Sequence, residues 1–124
     1  MRTYSIEAGK DSPFVYMDEL KETINISGKS TLKEPHWFYC NLLKWLIAFN
    51  TGTTRTRTFN INLEKINEST FKWLILIFGK LKTIFPDSSF EINWYLNDGN
   101  SRILEYGQIL QNQTGFRVNM LRYS

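Results

Sequence analysis

The chain has 124 residues, with 15 lysines and arginines against 12 aspartates and glutamates, a formal net charge of +3. That length fits one domain; 42 % hydrophobic and 15 % aromatic residues supply a core of large side chains, and the scattered cations, densest at Arg55 and Arg57, lack the basic stripe of a nucleic-acid binder. Cys40 is the only cysteine, which excludes an intramolecular disulfide and suits a reducing, cytoplasmic setting.

Residues 1 to 12 read as a polar, flexible N-terminal arm without the apolar run of a signal peptide. Residues 13 to 124 read as a single domain. Pro13 to Met17 and Lys21 to Ser27 predict two short strands joined at Asp18 and Glu19 as a hairpin, closed by Gly28. Glu34 to Phe49 predicts a helix, with Pro35 in its first turn and Phe38, Leu42, Trp45, Leu46 and Phe49 as its apolar stripe. Asn50 to Thr54 is a loop. Thr56 to Leu63 predicts a strand with Arg57, Phe59, Ile61 and Leu63 on one face and Thr58, Asn60 and Asn62 on the other. A helix starting after Asn67 follows, with Phe71, Leu74, Ile75, Phe78 and Leu81 turned inward, and Pro86 and Asp87 close it. Ser89 to Leu96 alternates again, with Phe90, Ile92, Trp94 and Leu96 opposite Glu91, Asn93 and Tyr95. Asn97 to Gly99 is a turn, Asn100 or Ser101 caps a third helix over about Arg102 to Gln111, and Phe116 to Leu121 is the last strand.

The two-sided strands carry the architecture. A doubly wound sheet is buried on both faces and its central strands read as continuous apolar runs. Here one face is apolar and the other is rich in asparagine. The expectation is an α/β two-layer sandwich of order β-β-α-β-α-β-α-β, a mixed sheet of about five strands with helices on one face. Trp45 and Trp94 are expected in its core. No stretch approaches the roughly 20 apolar residues of a membrane span; Trp73 to Phe78 is far too short.

The search for chemistry centres on the central helix. Asn67 is suited to accept a hydrogen bond from first-turn amides as an N-cap. It places Glu68, Ser69 and Thr70 where free N–H groups and the helix dipole favour negative charge. A hydroxyl displayed there is a candidate phosphoacceptor, although the same residues start many helices as a plain cap. Gly28-Lys29-Ser30-Thr31 resembles the tail of a phosphate-binding loop, but the position five residues before Gly28 is Thr23, not the glycine that motif needs. His36 and Cys40 lie four apart on a helix, with no orienting partner in view. No metal ligand set and no pair of carboxylates for acid–base work emerges, so neither a catalytic residue, nor a metal site, nor a cofactor is expected.

Three stretches together resemble the SiaC-like bacterial regulatory phosphoproteins, whose fold is similar to the STAS domains of anti-sigma-factor antagonists. They are Ile26-Ser27-Gly28-Lys29-Ser30 leading to the helix with Trp45, then Asn67-Glu68-Ser69-Thr70-Phe71-Lys72, then Ile92-Asn93-Trp94-Tyr95 before an acidic turn. The resemblance spans about Pro13 to Tyr123. It implies a non-enzymatic signalling adaptor, phosphorylated at the start of the central helix by a dedicated kinase and dephosphorylated by a PP2C-type phosphatase. Its phosphorylation state selects the partner; the unphosphorylated form activates a diguanylate cyclase in cyclic-di-GMP and biofilm control. The implied switch region is Asn67, Glu68, Ser69 and Thr70. The implied partner surface is Ser27, Gly28, Lys29, Ser30, Lys33, Glu68 and Lys72.

Two departures from the family pattern stand out. The family motif resembles Asn-Thr-Ser-Ser-x-Lys with its acceptor threonine directly after the asparagine, and Glu68 occupies that position here. Where the family tends to have Pro-Glu-Asn or Pro-Glu-Asp before the first helix, this chain has Leu32-Lys33-Glu34. Either Glu68 is a fixed charge in place of phosphate, or the acceptor has moved to Ser69 or Thr70. A reading of a different class makes the open face of Asn25, Asn60, Asn62 and Asn93 a binding surface for a ligand or a second subunit.

Overall fold

The computed structural model describes residues 3–50, 57–86, 90–96 and 101–122. Six strands form one sheet in sequential order: β1 (Thr3–Ile6), β2 (Phe14–Asp18), β3 (Thr23–Ser30), β4 (Arg57–Ile66), β5 (Phe90–Leu96) and β6 (Arg117–Arg122). The pairs from β1 to β3 are antiparallel and those from β3 to β6 parallel. Three helices make the parallel crossovers: α1 (His36–Asn50), α2 (Glu68–Ile84) and α3 (Ser101–Thr114). Parallel crossovers are right-handed. Strands added always on the same side therefore bring every helix to the same face of the sheet.

The alternation of the strands becomes burial. In β4, Arg57, Phe59, Ile61 and Leu63 are buried while Thr58, Asn60 and Asn62 are half-buried, and β5 repeats the pattern. Phe59 meets Phe78 of α2 edge-on at 4.8 Å, and Phe78 meets Phe116 at 5.9 Å. Burying each such side chain contributes about 1.5–3 kcal/mol. Trp94 is 1 % exposed and donates from Nε1 to the Ile103 carbonyl at 2.7 Å. Gly107 makes that approach possible: a Cβ there would lie 2.8 Å from Trp94 Cδ1.

Several expectations need correction. Residues 3 to 6 are not part of a flexible arm. They pair with β2, and beyond them Asp11 accepts from the Thr31 backbone at 2.9 Å and from its hydroxyl at 3.2 Å. The sheet thus has six strands, not five. Trp45 is not a core residue: it is 39 % exposed and packs on Tyr4 of β1 at a ring separation of 5.7 Å. The buried stripe of α1 runs through Phe38, Tyr39, Leu42, Leu46 and Phe49, and Trp45 sits on its margin, under the missed strand. Gly28 does not end β3; at φ 104° it sits at a register shift, and pairing with β4 resumes at Lys29 and Ser30. Arg57 belongs to no surface patch, being 3 % exposed with its guanidinium 4.5 Å from the Phe49 ring centre. The third helix runs on to Thr114, whose hydroxyl donates to the Leu110 carbonyl at 2.6 Å, before Gly115 turns the chain at φ 75°. The expected loop over residues 51 to 54, Arg55, Asp87, and the turn and cap over residues 97 to 100 lie outside the described residues. Among the described residues, no helix is long and apolar enough to cross a membrane.

Candidate partner-binding site at the start of the central helix

At the end of β4 the chain passes into α2 through Asn67, which is extended (φ −94°, ψ 169°) and caps the helix as its sequence predicts. Its Oδ1 accepts from the Thr70 amide at 2.9 Å, a cap of the kind worth about 0.5–2 kcal/mol. Its other groups reach sideways: Nδ2 donates to the Leu32 carbonyl at 2.9 Å and the backbone N–H to the Ser30 carbonyl at 3.1 Å. One asparagine therefore ties the first turn of α2 to the segment that follows β3.

Beneath that turn lies a buried chain of hydroxyls. Ser30, Tyr39 and Thr70 are each 0 % exposed. Thr70 donates from Oγ1 to the Ser30 carbonyl at 3.1 Å. With that proton committed, Ser30 is left to donate to Thr70 Oγ1 at 2.9 Å, and Tyr39 to donate to Ser30 Oγ at 2.5 Å. Each hydroxyl has one proton, so the order Tyr39 to Ser30 to Thr70 to the carbonyl leaves none unmatched. Burial pushes the Tyr39 hydroxyl up from 10.0 to about 12, against the opposing pull of the Ser30 hydroxyl it is bonded to and of the nearby Thr70 hydroxyl. It stays a neutral donor.

Above the turn the surface is open. Glu68 and Ser69 are exposed, and Glu68 lies 3.8 Å from Lys72, one helical turn on. Both side chains are well over half exposed, so the pair is worth a few tenths of a kcal/mol at most. Two grooves flank this stretch. One, of about 350 Å³, runs between α1 and α2 and is lined by Pro35, His36, Ser69, Lys72, Trp73 and Leu76. The other, of about 440 Å³, lies between α2 and α3, where Phe71 stacks on Tyr106 at 4.2 Å and Arg102 and Glu105 line the sides with Glu68 and Lys72.

The structure sorts the residues that the sequence grouped. Glu68, Ser69, Lys72, Lys29 and Lys33 are exposed. Thr70 and Ser30 are not displayed, because their hydroxyls are consumed in the buried chain. Ser27 pairs with Asn62 on the helix-free face of the sheet. Gly28, Lys29 and Ser30 lie in a strand, with backbone committed to β4, and form no loop around a phosphate. Missed from sequence were Tyr39, which anchors the turn, and His36 and Trp73, which meet at 5.5 Å across the α1–α2 groove. The expected neighbourhood of His36 and Cys40 exists, at 3.8 Å from Sγ to Nδ1, on an exposed helix surface.

The asparagine face reads differently in three dimensions. Asn60 donates to Asn25 Oδ1 at 2.9 Å, Asn93 to Asn60 Oδ1 at 2.8 Å, and Asn119 to Asn93 Oδ1 at 3.0 Å. The four residues are in register across β3 to β6. The ladder commits Asn25, Asn60 and Asn93 to one another, while Asn62 stands outside it with its buried Oδ1 unpaired among the described residues.

Comparison with known proteins follows the same line. The sequence model described as SiaC family regulatory phosphoprotein matches residues 6–123. No curated protein matches. Among solved structures, the complex of the diguanylate cyclase SiaD with its activator SiaC from Pseudomonas aeruginosa contains a chain with a TM-score of 0.84 at 16 % identity, covering 97 % of this chain and 99 % of that one. SiaC of the same organism gives 0.84 at 15 % identity over 99 % and 100 % of the two chains, and its apo form 0.80 at 13 % over 98 % and 99 %. At these identities the structural likeness establishes the α/β fold, a mixed six-stranded sheet with three helices.

Proposed function

This chain belongs to the SiaC family of regulatory phosphoproteins, and we propose that it is a non-enzymatic signalling adaptor of the bacterial cytoplasm that docks a diguanylate cyclase at the start of α2. The observation that carries this reading is the first turn of α2 itself. An exposed charged surface of Glu68, Ser69 and Lys72 stands on a base fixed by Asn67 and by the buried Tyr39–Ser30–Thr70 chain. Such a platform presents a constant shape to a partner, which keeps the ordering cost of binding low. The two flanking grooves offer apolar contact beside the charges, the usual mixture of an interface.

In this reading a dedicated kinase and a PP2C-type phosphatase set the charge of the turn, and the charge decides whether the cyclase docks. Glu68 supplies one permanent negative charge, offset by Lys72. Lys33, exposed in the segment after β3, extends the docking surface; Lys29 shares the strand face of Ser27, away from the helices. The experiment is to titrate the purified protein into each diguanylate cyclase of its host and follow cyclic-di-GMP synthesis. Stimulation of one cyclase, with no turnover of GTP by the protein alone, is expected. Absence of stimulation and of binding across the whole set would overturn the proposal.

A further inference from the structure

We infer that the phosphoacceptor of this chain is Ser69; the inference rests on the regulatory reading above and goes one residue further. The sequence leaves Ser69 and Thr70 as hydroxyls beside Glu68. The structure separates them. Thr70 is 0 % exposed and its hydroxyl is occupied on both sides, by the Ser30 carbonyl and Ser30 Oγ. A kinase could reach it only by unwinding the turn. Of the other hydroxyls nearby, Ser30 and Tyr39 are buried in the same chain, and Thr31 is tied to Asp11. Of these neighbouring hydroxyls, Ser69 alone is exposed and is held by none of the bonds that occupy the others.

Its surroundings also suit the product. Ser69 opens onto the α1–α2 groove, which His36 and Lys72 line from the two helices. A phosphoserine carries about −1.5 to −2 charges and three acceptor oxygens. In that groove it meets an ammonium on its own helix and an imidazole on the neighbouring one. Phosphate there projects into the groove and changes the charge that a partner meets. Glu68, already drawn toward Lys72, contributes a constant charge, and Ser69 supplies the variable one. In the transfer, Ser69 Oγ attacks the γ-phosphorus of a nucleoside triphosphate held by the kinase. The new O–P bond forms as the bond to the β-phosphate oxygen breaks, the nucleoside diphosphate leaves, and the hydroxyl proton passes to a base of the kinase. Hydrolysis reverses it: water attacks the phosphorus, inorganic phosphate leaves, and Ser69 Oγ regains a proton.

The test is intact-mass analysis and peptide mapping of wild type and Ser69→Ala purified from the native host. The same samples are titrated into the cyclase. A single phosphate on Ser69, absent from Ser69→Ala and removed by a PP2C-type phosphatase, is expected. Phosphoserine installed at position 69 should then weaken cyclase binding about tenfold or more. Phosphate on Thr70 or elsewhere, phosphate retained in Ser69→Ala, or no phosphate in wild type overturns the assignment. If the cyclase still binds in those cases, docking at α2 stands and only the acceptor is wrong. If the cyclase binds none of the samples, the docking proposal itself has failed.

Discussion

Removing the Tyr39 hydroxyl tests the base of the platform with one atom. In Tyr39→Phe, Ser30 loses the donor that sits 2.5 Å away, while its own bond to Thr70 survives. The ring stays buried, so the cost at neutral pH is that of one hydrogen bond, about 1 kcal/mol. The dependence on pH is more telling. The folded-state pKa is raised, from 10.0 to about 12. The stabilisation is therefore fully present below the unfolded value and is lost as pH climbs toward the folded one, because the unfolded chain ionises first. At about 1.36 kcal/mol per pKa unit the full loss is roughly 2–3 kcal/mol, about half of it by about pH 11. Wild type, the more stable protein near neutrality, should fall level with Tyr39→Phe near pH 11 and below it beyond. Urea denaturation of both proteins across that range, followed by tryptophan fluorescence, gives the difference directly. A gap that stays constant up to the highest pH, or no gap at any pH, would refute the hydroxyl chain as drawn.

The tryptophans give a second comparison: Trp94→Ala should cost about 3–5 kcal/mol, and Trp45→Ala, at a half-open site against Tyr4, about 1 kcal/mol or less by the same denaturation assay. Asn67→Ala should lose about 0.5–2 kcal/mol and, by hydrogen exchange, free the amides of both the first turn of α2 and residues 31 to 33; loosening confined to α2 would mean that the Leu32 bond carries nothing. Asn60→Ala breaks two rungs of the ladder and Asn119→Ala only one, so the first should cost about 1–2 kcal/mol and the second about half that; equal losses would show that the rungs do not contribute separately.

The strands and the cap were legible because their signals are local. Alternation in Arg57 to Leu63 and Phe90 to Leu96 specifies one buried face whatever lies above it, and Asn67 caps through a residue three positions away. Even the inward turn of Arg57 follows from that alternation, although its charge suggests a surface. What escaped depends on partners distant in the chain. Thr3 to Ile6 is a four-residue edge strand with few apolar side chains, and without it Trp45 has no reason to leave the core. Ser30 and Thr70, 40 residues apart, look like surface hydroxyls until Tyr39 joins them. The asparagines could be placed on a common face from sequence, but their bonding to one another needs the register of four strands. Gly28 misled for a simpler reason: a positive φ can shift the register of a strand as readily as end it.

The central claim is that the partner docks on the helix layer at the start of α2 and not on the helix-free face. Two charge reversals at exposed sites separate these surfaces: Lys72→Glu beside Ser69, and Arg117→Glu next to the asparagine ladder, where Arg117 lies 3.8 Å from Glu91. Isothermal titration of the stimulated cyclase with wild type and both variants should show Lys72→Glu weakened by about tenfold or more and Arg117→Glu within about twofold of wild type. The opposite order, with Arg117→Glu impaired and Lys72→Glu unaffected, would contradict it.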